Sequence, residues 1–299
     1  MSLPRVTVIV PVHNDAARLA RCVRALAAQD YPARLREVLV VDNGSTDDPG
    51  AAMADLVDAA GVRLLHEPAP GSYAARNRGI EAATGEVLAF TDADCVPEPG
   101  WLSAGIARLG PGVGLVGGAV RLFPRQPGRF SLAEAYEAAH GFPQEHYVQD
   151  RHFAVTANLL TTAQVMATCG PFDASLRSGG DQEWGQRTER FGLAAVYAPD
   201  AVVAHPMRHS LRELASKTRR TLGGMHDRHA LDRYMASPFT FWRYIAKHAI
   251  APVKQVPEMR RRAQATGAPF WKLFAATCHR QGVRARELVR LRSGGPSRR

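Results

Sequence analysis

The chain contains 299 residues, of which 45% are hydrophobic and 22% charged, and its formal net charge is +10. This composition excludes a disordered protein and is typical of one large α/β domain, or of a domain with an appendage. The four cysteines are scattered and form no Cys-x-x-Cys pair, which argues against a zinc site and against a disulfide scaffold.

The N-terminus and the apolar runs indicate the compartment. The first five residues lead directly into a strand pattern and lack the charged and apolar regions of a signal peptide. Apolar runs stay short of the roughly 18–20 residues that span a bilayer. We therefore expect a cytoplasmic protein, either soluble or peripheral at the cytoplasmic face of the membrane.

Strand and helix patterns alternate along the first half of the chain. We predict strands at 6–10, 38–41, 62–65 and 87–91, and helices at 15–28, 46–60 and 72–83. Continuous apolar strands that alternate with helices predict a mostly parallel central sheet with helices on both faces. Ligands of such folds bind beyond the carboxyl ends of the strands.

The rest of the chain is less regular. A strand is predicted at 114–120, followed by helices at 131–140 and 181–191. After residue 207 the composition changes to Arg-rich helical runs. We therefore expect one domain at 1–207 and a basic, amphipathic helical region at 208–299.

Two carboxylates one residue apart, Asp92 and Asp94, follow the apolar run Val87–Phe90. Alternate side chains point the same way just past a strand, so both carboxylates can face one ligand. Their mutual repulsion favours a bound cation, and oxygen ligands suit Mg²⁺ or Mn²⁺, which often bridge carboxylates to phosphates. The pair predicts a divalent-cation site, and a solvated acidic turn is the alternative.

Five motifs, in this order, resemble the glycosyltransferase family 2 enzymes, which share the Rossmann-like GT-A fold. The matching segments are Val8–Asn14, Val40–Asp47, Ala75–Gly79, Asp92–Asp94 and Gly179–Trp184. The resemblance covers about residues 5–205 and implies an inverting, metal-dependent transferase. Such an enzyme moves a hexose-type unit from a nucleoside-diphosphate-sugar to an acceptor hydroxyl, here in the synthesis of a cell-surface polysaccharide or glycolipid.

The resemblance also implies which residues bind the donor. Pro11, Asn14 and Asp42 would hold the nucleoside, and Gly44 leaves backbone room beside Asp42 for a planar ligand. Capping of the next helix is the alternative role for Asp42. Arg76 would contact the nucleotide from the start of a helix, a position that attracts anions.

By the same resemblance, Asp94 is a direct metal ligand and Asp92 is shared between the metal and the ribose. His205, at the end of a late strand, completes the metal site in some relatives, and a structural histidine is the alternative. The cation would offset the charge that grows on the departing nucleoside diphosphate.

Gly180–Trp184 resembles the family's acidic motif that carries the catalytic base. Asp181 aligns with its aspartate and would accept the proton of the acceptor hydroxyl. A helix N-cap is the competing role for Asp181. Glu183 is the second candidate for the base, or a residue that orients the acceptor, and Trp184 fits either a sugar face or the core.

Positive charge is concentrated in the last third. Residues 206–299 contain 21 Lys and Arg but only 5 Asp and Glu, a balance of +16, whereas residues 1–205 have a balance of −6. Basic helices with aromatic residues are typical of a bilayer interface, so we expect contact with anionic lipid near a lipid-linked or glycan acceptor. A helical bundle with a solvated basic face is an equal alternative. Nucleic-acid binding is not expected, because no recognition motif accompanies the charge.

Two other functions fit part of this pattern. A nucleotidyltransferase also uses paired aspartates and a metal, but it would need a Gly-rich basic loop near the N-terminus, which this chain lacks. A non-catalytic nucleotide-sugar-binding protein would not need the complete set of Asp92, Asp94 and Asp181.

Overall fold

The computed structural model describes residues 3–56 and 61–295, whose strands form one curled sheet flanked by helices. Its strands are β1 Val6–Val12, β2 Arg36–Asp42, β3 Val62–His66, β4 Val87–Phe90, β5 Val96–Pro97, β6 Val113–Phe123, β7 Leu159–Thr162 and β8 Ala194–Pro206. Their spatial order is β3-β2-β1-β4-β7-β6-β8-β5. The predicted mixed α/β architecture, a central sheet flanked by helices, is confirmed.

The sheet has a parallel part and an antiparallel part. Strands β3, β2, β1 and β4 are parallel neighbours, so their carboxyl ends lie along one edge. Strand β7 runs antiparallel to β4 and to β6, and β5 runs antiparallel to β8. Apolar character alone does not distinguish these two kinds of pairing, which is why the sequence indicated only the parallel part.

Helices of the first two thirds connect and cover these strands. The α-helices are Ala16–Ala27, Pro49–Ala52, Ser72–Ala82, Trp101–Ile106, Leu132–His140, Gln144–Arg151, Ala163–Cys169 and Gly180–Arg190. Short 3₁₀ turns lie at Ala33–Leu35, Ala54–Leu56 and Thr156–Asn158. The predicted helices at 15–28, 72–83, 131–140 and 181–191 are confirmed to within one residue at each end.

The last third is helical, as predicted. Its helices are Leu211–Asp227, Asp232–Met235, Pro238–Ala249, Ala251–Lys254, Val256–Thr266 and Phe270–Arg292. None of the helices in 3–56 and 61–295 combines the length and the apolar character that crossing a membrane requires.

Two of the differences between predicted and observed boundaries have a local cause. Strand β1 continues through Pro11 to Val12. Strand β4 pairs with β1 only as far as Ile9. The missing N–H of Pro11 therefore costs no hydrogen bond on the side of β4. The predicted continuous helix at 46–60 is wrong. Asp48 caps a short helix that starts at Pro49, with Asp48 Oδ1 accepting from the Ala51 amide at 2.9 Å, and a 3₁₀ turn follows. Residues 57–60 of that prediction lie outside the described residues.

Contacts divide the described chain into two compact units. The first unit comprises 3–56, 61–121, 143–175 and 180–205, and the second comprises 122–142, 176–179 and 206–295. The sequence-based division into 1–207 and 208–299 stays a prediction. The second unit takes in segments that precede residue 207, which a single boundary in the sequence does not describe.

The core of the first unit fixes the helix Ser72–Ala82 close to the sheet. The interior faces of β1, β2 and β4 are apolar and buried, and Leu19, Cys22, Val23 and Leu26 pack against them. A Cβ atom on Gly79 would lie 2.5 Å from Ile9 Cγ2, so only glycine permits this approach. Arg76, one turn earlier on the same helix, is thereby held near the carboxyl ends of the strands.

The second unit has smaller apolar clusters. One cluster joins Ala135 to Met259, Ala263, Ala268 and Leu273, and another joins Leu222, Leu231, Phe241, Leu288 and Leu291. Its helices begin with strong caps, since Ser131 and Ser210 each form a capping box with the glutamate three residues later.

Candidate active site

The acidic pair lies at the carboxyl end of β4. Four side chains place a metal-ligand atom within 4.8 Å of one another: Asp92, Asp94, Cys95 and His205. The sheet brings His205 there, because Val96 of β5 pairs with Ala204 of β8 in antiparallel register. His205 Nε2 is 3.8 Å from Asp94 Oδ1, and His205 is buried.

This donor set fits a divalent cation. Carboxylate oxygens and an imidazole nitrogen suit Mg²⁺ or Mn²⁺, whereas the Cys95 sulfur suits softer metals. Asp92 and Asp94 are only partly buried, so both are accessible to a ligand. Asp92, Asp94 and His205, the three metal-ligand candidates from the sequence, are thus brought together.

Arg76 and Asp92 form an ion pair within the site. Arg76 is buried, its Nη2 donates to Asp92 Oδ1 at 2.5 Å, and its Nη1 donates to the Ser72 carbonyl at 3.1 Å. Its Nε has no hydrogen-bond partner among the described residues. Sequence reasoning placed Arg76 on the nucleotide but missed its pairing with Asp92.

A second cation approaches the acidic pair from the helix Ala16–Ala27. Arg18 Nη1 is 3.7 Å from Asp94 Oδ2, and Arg18 Nε donates to Asp15 Oδ1 at 2.7 Å. The spacing of Asp15 and Arg18 was visible in the sequence, but nothing local indicated that the pair would lie beside Asp94. Negative charge at the carboxyl end of β4 is therefore partly compensated from two helices.

The residues predicted to bind the nucleoside lie at the ends of β1 and β2. Asn14 has a positive φ of 53°, and its Oδ1 accepts hydrogen bonds from the Thr46 amide at 2.7 Å and hydroxyl at 3.0 Å. Pro11 is in β1, directly opposite Val41 of β2. Asn14 therefore ties the loop after β1 to the loop after β2, which sequence reasoning did not anticipate.

Asp42 ends β2 and is largely buried. Its Oδ1 accepts from the Ser45 amide at 2.9 Å, and its Oδ2 lies 3.3 Å from His66 Nδ1. Burial acts to raise the pKa of Asp42, but hydrogen bonds from Ser45 and His66 prevail and hold it below its ordinary value. Asp42 is thus an anionic acceptor at the sheet edge, and it also supports the turn that follows β2.

Asn43 joins this loop to the one after β3. Its Nδ2 donates to the carbonyls of Glu67 and Ala69, and its Oδ1 accepts from the Gly71 amide at 2.8 Å. An aspartate cannot donate to two carbonyls, so asparagine is suited to the loop that this chain forms.

Asp181 lies in the first turn of the helix Gly180–Arg190 and contacts Tyr73. The Tyr73 hydroxyl accepts from the amides of Gly180 at 2.9 Å and Asp181 at 3.3 Å, and it donates to Asp181 Oδ1 at 3.3 Å. Burial raises the pKa of the Asp181 carboxyl above its ordinary value, against smaller opposing effects from the Gln182 amide and Arg76. An acid of this kind binds a proton more readily at neutral pH than an exposed aspartate does.

Tyr73 was missed by sequence reasoning. Its ring lies 5.7 Å from the Arg76 guanidinium and 5.8 Å from the Phe172 ring. Phe172 in turn packs against Phe90, the last residue of β4, and against Trp184. This aromatic cluster links the acidic pair to Asp181. It is formed by contacts between residues that are far apart in the sequence.

Glu183 and Trp184 are both engaged. The two carboxylate oxygens of Glu183 accept from Arg187, at 3.1 Å from Nε and 2.9 Å from Nη2. Trp184 is fully buried, and its indole donates to the Gly170 carbonyl at 2.9 Å. Of the two roles considered for Trp184, the core is the one observed. Asn77, next to Arg76, is bonded to the Phe172 backbone: its Nδ2 donates to the carbonyl and its Oδ1 accepts from the amide.

Comparison with known proteins finds similarity to glycosyltransferases in both sequence and fold. The model of the family "Glycosyl transferase family 2" matches residues 7–172. Glycosyltransferase AglE of Haloferax volcanii is 36% identical to this chain over 298 residues, covering 96% of each protein. The chain belongs to glycosyltransferase family 2.

Solved structures have the same fold. The mannosyltransferase PcManGT from Pyrobaculum calidifontis, in complex with GDP-Man and Mn²⁺, has a TM-score of 0.64 at 22% identity, covering 97% of this chain and 87% of that one. S. aureus TarS 1-349, in complex with UDP-GlcNAc, has a TM-score of 0.52 at 17% identity, covering 98% of this chain and 93% of that one.

Proposed function

We propose that this glycosyltransferase is metal-dependent and inverting, and that it transfers a hexose-type unit from a nucleoside-diphosphate-sugar to an acceptor hydroxyl. The observation that carries the proposal is the cluster of Asp92, Asp94 and His205 beyond the parallel strands. The GDP-Man and Mn²⁺ in PcManGT and the UDP-GlcNAc in TarS support a nucleotide-sugar donor.

In this proposal Asp92, Asp94 and His205 hold a divalent cation, Mg²⁺ or Mn²⁺. When bound, the cation supplies Lewis-acid stabilisation of the negative charge on the diphosphate. Arg76 is buried and positively charged beside Asp92, so it can contribute to binding the same anion. Asp92 is then shared between the cation, the ribose and Arg76.

The nucleoside lies, in the same proposal, at the ends of β1 and β2. Asp42 accepts from the base, while Asn14 and Pro11 shape the edge of the pocket. The low pKa of Asp42 supports this role, because an ionised carboxylate accepts hydrogen bonds from a base without first losing a proton.

Asp181 is the proposed general base. The acceptor oxygen attacks the sugar C1, its proton passes to the Asp181 carboxylate, and the bond from C1 to the diphosphate oxygen breaks with its electron pair going to the leaving group. A base with a raised pKa binds the transferred proton more strongly. One displacement of this kind inverts the configuration at C1.

Glu183 is assigned a positioning role in the proposal. Both of its carboxylate oxygens are bonded to Arg187, so proton transfer to Glu183 would compete with a charged pair. Through Arg187, which also donates to the carbonyls of Cys169 and Pro171, it supports the turn before the helix of Asp181.

A glycan or a lipid-linked sugar is the proposed acceptor, in the synthesis of a cell-surface polysaccharide or glycolipid. The excess of positive charge in residues 206–299 supports an anionic partner.

The function is tested by sugar transfer to a panel of acceptors with Mn²⁺ and candidate nucleotide-sugars, and by the anomeric configuration of the product. We expect inversion, and we expect Asp94→Asn to reduce turnover by roughly a hundredfold or more. Asp55→Asn is the matched control, because Asp55 is exposed and pairs only loosely with Arg24 at 3.8 Å. A product with retained configuration would contradict the inverting mechanism. Full activity of Asp94→Asn in the presence of a chelator would contradict the metal dependence.

A further inference from the structure

The second unit exposes an apolar stripe along two consecutive helices. Its members recur at intervals of three or four residues: Phe239, Trp242, Ala246, Ile250 and Val253. The exposed fractions are 72% for Phe239, 59% for Trp242, 47% for Ile250 and 69% for Val253. Spacing of this kind places side chains on one face of a helix, but here the apolar face is turned to solvent.

The backbone keeps the stripe continuous across the junction of the helices Pro238–Ala249 and Ala251–Lys254. Ile250, between them, has φ −84° and ψ −10°, within the right-handed helical region. The opposite face of the first helix is anchored, because Phe241 is buried in the cluster with Leu222 and Leu288. The stripe therefore cannot rotate into the interior of its own unit without pulling Phe241 out.

Lys, Arg, Asp and Glu charges in the segment that carries the stripe have one sign. Between Asp232 and Glu258 the sequence contains no acidic residue, while four basic residues occur there: Arg233, Arg243, Lys247 and Lys254. Arg243, Lys247 and Lys254 are exposed. The Arg243 guanidinium lies 5.7 Å from the centre of the exposed Phe239 ring, so cationic and aromatic groups are interleaved on one surface.

We propose that this stripe and its flanking cations form an interfacial membrane-binding surface that takes anionic phospholipid. Large exposed aromatic and aliphatic residues gain free energy by entering the acyl boundary, while Lys and Arg heads remain at the level of the lipid phosphates. An acid-free cationic border complements an anionic leaflet. The inference does not depend on the sugar, the metal or the reaction, because none of these residues belongs to the proposed active site.

Charge favours an anionic membrane over a second copy of the chain as the partner of this stripe. Two stripes facing each other would bring six exposed cations, three from each copy, into one interface with no acidic residue of the same segment to compensate them. Like charges brought together in this way cost free energy. A bilayer that contains phosphatidylglycerol has no such penalty.

Vesicle sedimentation of the full chain tests the proposal. We expect binding to vesicles of phosphatidylcholine with phosphatidylglycerol, much weaker binding to phosphatidylcholine alone, and a decrease as ionic strength rises. Phe239→Ala/Trp242→Ala should weaken partitioning by roughly tenfold or more. Replacing Arg243, Lys247 and Lys254 with glutamine should weaken it on the order of a hundredfold.

Phe191→Ala/Trp271→Ala is the matched control. It also removes one exposed phenylalanine and one exposed tryptophan, 53% and 63% exposed, but neither belongs to the stripe. The control should bind vesicles as the unchanged chain does, and all variants should keep their far-ultraviolet circular dichroism. Equal losses in the two double variants would overturn the assignment of binding to the stripe.

Tryptophan fluorescence gives an independent readout. Trp101 and Trp184 are buried, so in a Trp271→Phe background a change on adding vesicles reports on Trp242. We expect a blue shift with anionic vesicles as Trp242 leaves water. An unchanged spectrum together with absent sedimentation would refute the membrane surface, and concentration-dependent dimers lost in Phe239→Ala/Trp242→Ala would assign the stripe to a second copy.

Discussion

At the scale of single residues, two of the site's aspartates, Asp42 and Asp181, differ in environment. Asp42 is held ionised by hydrogen bonds from Ser45 and His66, whereas burial raises the pKa of Asp181. An aspartate that accepts hydrogen bonds from a ligand and an aspartate that accepts a proton need these opposite conditions. The structure thus gives each carboxylate a distinct chemical character although both are aspartates.

Replacing Asp181 with asparagine separates catalysis from stability. If Asp181 is the base, transfer should fall by about 10²–10⁴-fold, while donor binding is retained. The free energy of unfolding should rise at neutral pH in the same variant. The folded carboxyl holds its proton more tightly than the unfolded one, so the native protein loses stability as pH rises from the unfolded pKa through the folded pKa.

Asp181→Asn is free of that cost, so we expect it to be more stable than the unchanged protein at neutral pH, with a gain that disappears in acid. Urea unfolding at several pH values measures this, with Asp55→Asn as the exposed control. A variant that loses stability at neutral pH would argue against the unfavourable burial of the Asp181 charge, and near-normal turnover would move the role of base to another group.

At the scale of structural elements, a buried carboxylate organises the second unit. Glu137, on the helix Leu132–His140, is buried and bonds Arg208 Nη1 at 2.8 Å and Lys217 Nζ at 3.1 Å. Burial acts to raise the pKa of Glu137, but these two cations outweigh it and lower the pKa. Burial also lowers the pKa of Lys217 to about 8, although Glu137 partly opposes this.

Glu137→Gln should lower the free energy of unfolding by about 3–5 kcal/mol, because it leaves two partly buried cations, Arg208 and Lys217, without their buried carboxylate. The loss should be larger near about pH 6 than near about pH 9, since Lys217 is charged at the lower pH and neutral at the higher one. Urea unfolding at the two pH values checks both expectations.

Glu258→Gln is the comparison for this experiment. Glu258 forms ion pairs with Arg261 and Arg262 on the same helix, at the protein surface, where such pairs contribute little. We expect its unfolding midpoint to stay close to that of the unchanged protein. A similar loss of stability in Glu137→Gln and Glu258→Gln would mean that burial does not explain the contribution of Glu137 and its two cations.

At the scale of the whole molecule, the proposed site predicts coupled binding of metal and donor. A donor at a hundred times its Kd should add about 2.7 kcal/mol to the free energy of unfolding. This corresponds to a rise in Tm of roughly 4 °C for a chain of 299 residues. We expect the rise with one nucleotide-sugar and Mn²⁺ together, and little change with either alone.

Differential scanning fluorimetry of a nucleotide-sugar panel measures this coupling. Asp92→Asn should lose the joint effect, and Asp55→Asn should keep it. If no nucleotide-sugar raises Tm with Mg²⁺ or Mn²⁺, the donor assignment fails. A rise with free nucleoside triphosphate in place of nucleotide-sugars would instead favour a nucleotidyltransferase.

Local pattern determined much of this protein. The apolar runs before Asp42 and Asp92 specify buried strands, since a strand covered on both faces needs apolar side chains throughout. The order of those strands and helices was sufficient to indicate a mostly parallel sheet and the edge at which Asn14, Asp42 and Asp92 collect, whereas the GT-A fold was implied by the resemblance of the five motifs. The break of the predicted helix at 46–60 was also encoded locally, by Asp48 and Pro49, but the longer pattern obscured it.

Tertiary structure alone decided how the site is assembled. The antiparallel pairing of β5 with β8 brings His205 to Asp94, and a tyrosine more than a hundred residues away in sequence supports Asp181. The pairing of Arg76 with Asp92 likewise depends on how closely Gly79 lets its helix approach β1. Hydrophobic periodicity encodes which face of a segment is buried, but the partners of its polar side chains depend on packing between segments far apart in the chain.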